Sequence, residues 1–157
     1  MKLFVDADSC PAPVRKIIQK RAAREQISLI FAANRPIPFE NSYHILVEQG
    51  LFVMEICPLE AGSADDRITD LAGEGDIAVT RDVPLAFRLV EKGVHTLDDR
   101  GRIFNADNIR YHLSVRNYTI ICAESYGGLK RTSSYGEKEK KAFADSLDRI
   151  ITCTRSR

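Results

Sequence analysis

Cysteine and histidine are scarce in this chain and follow no pairing pattern. The four cysteines, Cys10, Cys57, Cys122 and Cys153, are widely scattered without a C-x-x-C pair, and only three histidines are present. Because structural zinc sites need closely spaced cysteine and histidine ligands, we exclude that class. Scattered cysteines favour reduced thiols, so we expect a cytoplasmic protein.

Long hydrophobic runs and a strong net charge are also missing. No run of about 18 apolar residues could span a membrane, and the first residues enter a strand pattern without an apolar signal segment. The formal net charge is +1, so binding to nucleic acid would require a local basic patch. We therefore expect a soluble protein with no membrane association.

What the chain does contain suits one compact domain over residues 1–157. At 157 residues and 44% hydrophobic composition, it can bury about two-thirds of its unfolded surface around a single core. Short apolar runs alternate with segments of helical spacing. The predicted strands lie at 2–8, 27–34, 51–57, 76–80 and 94–97, and the predicted helices at 11–26, within 62–75, and at 84–93.

This alternation predicts an α/β fold with a doubly wound, mainly parallel sheet of about five strands and helices on both faces. Functional sites in such sheets lie at the carboxyl ends of the strands. Further along, residues 105–117 predict a helix capped by Asn105, and the pattern leaves open whether it continues through NYTIICA. A flexible loop near 124–137 and a C-terminal helix near 138–153 complete the prediction.

The first predicted strand ends in two aspartates, Asp6 and Asp8, directly before a helix. Residues i and i+2 of a strand face the same side, so both carboxylates are expected to converge at its carboxyl end. Like charges on one face repel, which suggests a shared cation. The alternative is that one carboxylate, or Ser9, simply caps the following helix.

A second acidic pair opens the helix that follows GSADDRI. Ser63 is a credible N-cap, and Asp66 fits the acidic half of an approximate capping box. At about 100° per residue, Asp65 lies near the apolar stripe of this helix whereas Asp66 points away from it. Asp65 is therefore the better candidate for a metal ligand.

Thr80 and Asp82 follow the fourth predicted strand, again at the carboxyl edge. Asp82 could instead cap the helix near Pro84. Taken together, the acids predict a site for Mg²⁺ or Mn²⁺, which prefer oxygen ligands. Such a centre can activate water for attack on a phosphodiester. Asp98 is a candidate outer member, although the stretch from Asp98 to Gly101 is also an ordinary turn.

Several ordered motifs resemble one family over nearly the whole chain. They are VDADSCP, GSADDRI, GDIAVTRDVPLA, LDDRGRIFNADNI, RN at 116 and 117, and AFADSLDRII. Together they resemble the YaiI/YqxD family of bacterial proteins, which belongs to the PIN-like group with its metal-dependent ribonucleases. The resemblance implies a PIN-like fold with an acidic metal site carried by Asp6, Asp8, Asp65 and Asp82.

We therefore expect a metal-dependent nuclease that acts on RNA, with single-stranded RNA as its partner. The sequence leaves open whether the protein forms homo-oligomers. Ser9, Asn34, Asp66, Thr80 and Asp98 are candidates to support the metal ligands. The candidate phosphate contacts are Arg81, Arg100, Arg110, Lys130 and Arg131.

Two alternatives remain open from the sequence. One is a phosphatase of the haloacid dehalogenase type, in which Asp6 is the nucleophile and Asp8 protonates the leaving group. The other is a non-catalytic module that binds RNA or a protein partner.

Overall fold

The computed structural model describes residues 1–126 and 135–156, and their six strands form one sheet. The strands are β1 (Lys2–Asp6), β2 (Ser28–Ala33), β3 (Phe52–Ile56), β4 (Ile77–Val79), β5 (His95–Leu97) and β6 (Ile103–Phe104). The helices are α1 (Ala12–Glu25), α2 (His44–Glu48), α3 (Ser63–Leu71), α4 (Val83–Glu91), α5 (Ile109–Tyr126) and α6 (Glu137–Arg155), with a short 3₁₀ helix at Asn41–Tyr43.

The sheet has the order β3-β2-β1-β4-β5-β6. All neighbouring strands are parallel except β5 and β6, which are antiparallel. The chain moves outward from β1 to β3 and then returns to place β4 on the other side of β1. This reversal opens a crevice at the carboxyl ends of β1 and β4, the place where α/β sheets of this kind hold their functional sites.

Alternation along β1 divides the core between the two faces of the sheet. Leu3 and Val5 are fully buried in the cluster that includes side chains of α1 and α6. Phe4 faces the other way, into the cluster formed with α3 and α4. Because side chains two residues apart share a face, Asp6 lies on the side of α3 and α4.

The α/β class and the mainly parallel sheet predicted from the sequence are confirmed, with six strands in place of about five. The sixth strand, β6, has only two residues, which is too short for an alternating pattern to show. The five-residue helix α2 was missed for the same reason.

The predicted boundaries are wrong at two places. The first strand ends at Asp6, and residues 7–9 form a turn, so Asp8 lies outside the strand that was predicted to extend to residue 8.

The helix predicted at 105–117 spans Ile109–Tyr126, which includes NYTIICA and the first residues of the predicted loop. Asn105 accepts hydrogen bonds from the backbone N–H groups of Asp107 and Asn108, so it caps the turn before α5. The rest of the predicted loop, 127–134, lies outside the described residues.

Across residues 1–126 and 135–156, no helix is both long enough and apolar enough to cross a membrane.

Candidate active site

Asp6, the last residue of β1, is a buried carboxylate at the junction of β1 and β4. Its exposed fraction is 6%. Its Oδ2 atom accepts hydrogen bonds from the Ser9 hydroxyl at 2.6 Å and from the Thr80 hydroxyl at 3.0 Å. Thr80 directly follows β4, and the parallel pairing of β1 with β4 brings it beside Asp6. Two hydroxyl donors therefore hold this carboxylate in one orientation.

Ser9 binds Asp6 and does not cap α1. The residue before α1 is Pro11, and no side chain accepts a hydrogen bond from the first turn of the helix. The predicted alternative, in which an aspartate or Ser9 caps α1, is therefore wrong. The turn between β1 and α1 is held from the other side by Arg15, which donates to the carbonyl oxygens of Ala7 and Cys10.

Asp82 is fixed as the N-cap of α4, as one of the sequence interpretations predicted. Its Oδ1 atom accepts a hydrogen bond from the backbone N–H of Leu85 at 2.8 Å. The backbone N–H of Asp82 also donates to the Thr80 hydroxyl at 3.0 Å. Thr80 thus connects Asp6 to the residue that carries the second carboxylate.

Asp65 projects from the first turn of α3 toward these two acids. Burial raises its pKa, and the negative charges of Asp6 and Asp82 raise it further, to about 6. The positive charge of Arg88 opposes this shift. The predicted helix register is confirmed, since Ala64 and Ile68 are buried on the core side of α3.

Asp66 differs from its neighbour, because it points to solvent. Its carboxylate pairs with the guanidinium of Arg88 at 2.8 Å. The predicted capping box is wrong: the N-cap of α3 is Gly62, with φ of 82°, and no side chain caps the helix. Ser63, which was predicted as the N-cap, is instead the first residue of the helix.

Asp8 is directed away from Asp6, toward the end of β2. Its Oδ2 accepts a hydrogen bond from the backbone N–H of Asn34 at 2.6 Å, and its Oδ1 lies 3.3 Å from Nε of Arg35. The geometric reason given for convergence, two carboxylates on one strand face, is wrong because the strand ends at Asp6.

Asn34 ties the end of β2 to the start of α3. Its side-chain amide donates to the Ser63 hydroxyl at 2.8 Å and to the carbonyl oxygen of Pro58. Because its backbone N–H also binds Asp8, one residue connects the turn after β1 with the helix that carries Asp65.

Asp98 is part of a turn, as the alternative interpretation held. Its Oδ1 accepts the backbone N–H groups of Arg100 and Arg102, each at 2.9 Å. The adjacent Asp99 is buried, with an exposed fraction of 4%, and lies 3.5 Å from Nε of Arg81. Burial raises the pKa of Asp99, while Arg81 lowers it. Sequence reasoning missed Asp99, although its place two residues after the end of β5 was a usable signal.

The predicted phosphate contacts occupy different surroundings. Arg81 is half-exposed beside Asp99, and Arg100 lies over the Tyr135 ring, 4.0 Å from Glu139. Arg110 is exposed near the start of α5. The last two candidates, Lys130 and Arg131, lie outside the described residues.

The sequence matches the family model described as "Uncharacterized BCR, YaiI/YqxD family" over residues 4–153. The chain belongs to the YaiI/YqxD family. It is 40% identical over 151 residues to the UPF0178 protein of Treponema denticola, covering 96% of this chain and 92% of the relative. The UPF0178 protein of Syntrophobacter fumaroxidans is 38% identical over 152 residues, covering 97% and 95%. No solved structure matches this YaiI/YqxD family member.

The donor chemistry of this YaiI/YqxD site fits a hard divalent cation, because Asp6, Asp65 and Asp82 offer carboxylate oxygens beside the Thr80 and Ser9 hydroxyls. They do not form a preassembled metal site. Within residues 1–126 and 135–156, no group of three or more His, Cys, Asp or Glu side chains is placed to hold a metal ion. Metal binding would therefore require these side chains to move closer together.

Proposed function

We propose that this protein is a metal-dependent nuclease that hydrolyses RNA at the carboxyl edge of β1 and β4. Asp6, Asp65 and Asp82 would hold Mg²⁺ or Mn²⁺, and Asp8 would join them once its contacts to Asn34 and Arg35 are released. The proposal includes a place for this chain among the PIN-like nucleases and a location in the cytoplasm, where its RNA substrate would be. Such an ion would supply a water of lowered pKa and offset the charge of the phosphodiester.

One observation carries the proposal, namely the raised pKa of Asp65 beside the carboxylates of Asp6 and Asp82 in the crevice. The charges of Asp6 and Asp82 contribute to the raised pKa of Asp65. Within the described part of the chain, none of the three forms an ion pair, and the nearby guanidinium of Arg88 binds Asp66. Negative charge gathered in this way destabilises the fold unless a cation or a proton offsets it.

The side chains of the site have distinct tasks in this proposal. Ser9 and Thr80 prevent Asp6 from rotating away from the crevice. Asp82 uses Oδ1 to cap α4, so Oδ2 is the oxygen that would meet a ligand. The pKa of Asp65 is about 6 in the metal-free protein, so binding of the ion would release a proton from this carboxyl at lower pH.

Two arginines near the acids support a phosphodiester substrate. The side chain of Arg35 is 72% exposed beside Asp8, and that of Arg81 is 53% exposed beside Asp99. Because the Arg35–Asp8 pair is exposed and contributes little, Arg35 can exchange its carboxylate for a phosphate at small cost. Arg81 would contact a phosphate while it still offsets the charge of the buried Asp99. Arginine binds phosphate through two parallel hydrogen bonds, and RNA supplies a row of such groups.

The phosphatase alternative receives less support. The burial of Asp6 and the two hydroxyl hydrogen bonds on its Oδ2 apply equally to a nucleophile and to a metal ligand, so they do not separate the two functions. Asp8, the proposed acid of the phosphatase, is engaged with Asn34 and Arg35.

The first experiment is calorimetric titration of Mn²⁺ into the metal-free protein. We expect wild type to bind Mn²⁺ and Asp65→Asn to lose most of the affinity. Asp66→Asn is the matched control, since it removes the same charge from the next residue of the same helix and should bind as wild type does. Equal binding by all three proteins would refute the metal site.

The second experiment measures cleavage of a labelled single-stranded RNA with and without Mn²⁺. We expect metal-dependent cleavage that falls by about 100-fold or more in Asp6→Asn, because the central ligand is gone. Hydrolysis of p-nitrophenyl phosphate without RNA cleavage would favour the phosphatase. RNA binding without any cleavage would favour the non-catalytic module.

A further inference from the structure

Helix α5 carries a second apolar face that points away from the protein. Its core side begins with Ile109, which is buried against Ala86 and Phe104. On the opposite side, Tyr111 and Tyr118 have exposed fractions of 68% and 70%. The Tyr111 ring makes an edge contact with His112 of the same helix, with 5.5 Å between the ring centroids, and both tyrosines keep most of their surface in solvent. A solvent-facing helix side usually carries charge, so this surface needs a different explanation.

One line along the helix, which we call the α5 stripe, contains the exposed Tyr111, Val115 and Tyr118 and the half-buried Cys122. Their spacing alternates four, three and four residues, the pattern of a helix that pairs with another helix. At about 100° per residue, the stripe spans about 60° and its centre lies about 140° from the core-facing side. The buried face of α5 therefore cannot account for these residues.

Among the described residues of α5, no charged residue lies on or beside the α5 stripe. Its immediate neighbours on the helix surface include Ser114, Thr119 and Ile121. The charged residues of α5 all lie more than about 100° away from the centre of the stripe, and they are Arg110, Arg116 and Glu124. A face without charge offers no attraction to an acidic or a basic partner. It also creates no repulsion when two identical faces meet.

The size of the surface is appropriate for a helix pair. Together with Ile121, which is 60% exposed, the stripe presents a patch of roughly 500 Å², at the upper end for monomeric proteins. A standard interface buries about 800 Å² on each partner. Two such patches would bury about 1,000 Å² in total, the lower limit for a specific interface, so we expect a weak and reversible dimer.

We propose that the α5 stripe is a homodimer interface, in which α5 packs against α5 of a second copy across a two-fold axis. A two-fold axis makes each partner present the same patch, and an uncharged apolar stripe is self-complementary in this sense. The tyrosine rings supply most of the contact area. This inference does not depend on the nuclease proposal, because the stripe includes none of the acids of the candidate active site.

The test is sedimentation of the full chain over a range of concentrations, for wild type, Tyr118→Glu and Asn117→Glu. Both variants add one negative charge to exposed, adjacent positions of α5, but Asn117 lies off the stripe. We expect a monomer–dimer equilibrium for wild type and Asn117→Glu, and a monomer for Tyr118→Glu. Far-ultraviolet circular dichroism shows whether each variant is folded.

A second measurement separates loss of the dimer from loss of the fold. The melting temperature of a dimer rises with protein concentration, because association stabilises the folded state. We expect this rise for wild type and Tyr118→Leu, and none for Tyr118→Glu. A wild-type protein that stays monomeric would overturn the proposal. So would a dimer that survives Tyr118→Glu, or one that Asn117→Glu disrupts equally.

Discussion

The hydroxyl of Thr80 donates a 3.0 Å hydrogen bond to Oδ2 of Asp6, across the junction between β4 and β1. The Oγ1 atom of Thr80 also accepts a hydrogen bond from the backbone N–H of Asp82 at 3.0 Å. Thr80 is itself buried, with an exposed fraction of 2%. One hydroxyl group therefore sets the relative position of two of the three acids in the candidate active site.

The first prediction concerns this hydroxyl. Thr80→Val keeps the shape of the side chain but leaves the Asp82 N–H without its acceptor and Asp6 with one donor fewer. We expect the free energy of unfolding to fall by about 1–3 kcal/mol, the cost of unsatisfied buried groups. Urea denaturation measures this change. Thr80→Ser is the control, since it retains the hydroxyl and should lose clearly less.

The second prediction is a pH dependence of stability caused by Asp65. Its pKa is raised from 3.8 to about 6 in the folded protein. A raised pKa means that the folded state binds the proton more tightly, so stability is lost as pH rises through this interval.

Asp65→Asn removes that loss in the metal-free protein. We expect the variant to be more stable than wild type by about 1 kcal/mol at pH 7.5, after allowance for solvent screening of a half-buried group. At pH 4 the gain should vanish, because wild-type Asp65 is then protonated as well. Urea denaturation at pH 4 and pH 7.5 measures the free energy of unfolding of both proteins. An equal gain in stability at both pH values would show that the titration of Asp65 does not cause it.

The third prediction concerns Arg88, which pairs with Asp66 and lowers the pKa of Asp65. Arg88→Gln should raise the pKa of Asp65 further above its usual range, since the positive charge of Arg88 that opposes the shift is lost. Carbon-13 NMR titration of the Asp65 carboxyl measures the shift. Asp66→Asn should move this pKa in the opposite direction, because the charge of Asp66 raises it.

The fourth prediction concerns Gly101, where the turn after β5 meets α6. Its φ is 83°, and an added Cβ would lie 2.5 Å from the carbonyl oxygen of Ala142. Gly101→Ala should therefore lower stability by about 2–4 kcal/mol, through a strained backbone and a steric overlap with helix backbone.

Gly75 offers the matched control for this substitution. Its φ is 80°, but an added Cβ would meet nothing within 4 Å. Gly75→Ala should cost only about 1 kcal/mol, the strain of the left-handed conformation alone. Equal losses in the two variants, measured by thermal or urea unfolding, would show that the overlap with α6 is relieved by movement.

The sequence by itself determined the elements that depend on local pattern. The apolar runs of β1 to β5 and the spacing of Val14, Ile18 and Ala22 in α1 fix strands and helices without reference to distant residues. Alternation of these elements in turn predicts a parallel sheet and places any site at its carboxyl edge. Asp6, Asp65 and Asp82 were selected on this basis.

Only the tertiary structure decided which carboxylates share the crevice. Asp8 follows Asp6 by two residues, yet the end of β1 turns it toward Asn34 and Arg35, because a ladder of hydrogen bonds between distant strands sets where a strand stops. The partner of Asp66 is likewise Arg88, from another helix. Side-chain contacts of this kind join residues far apart in the chain, and no local period of the sequence encodes them.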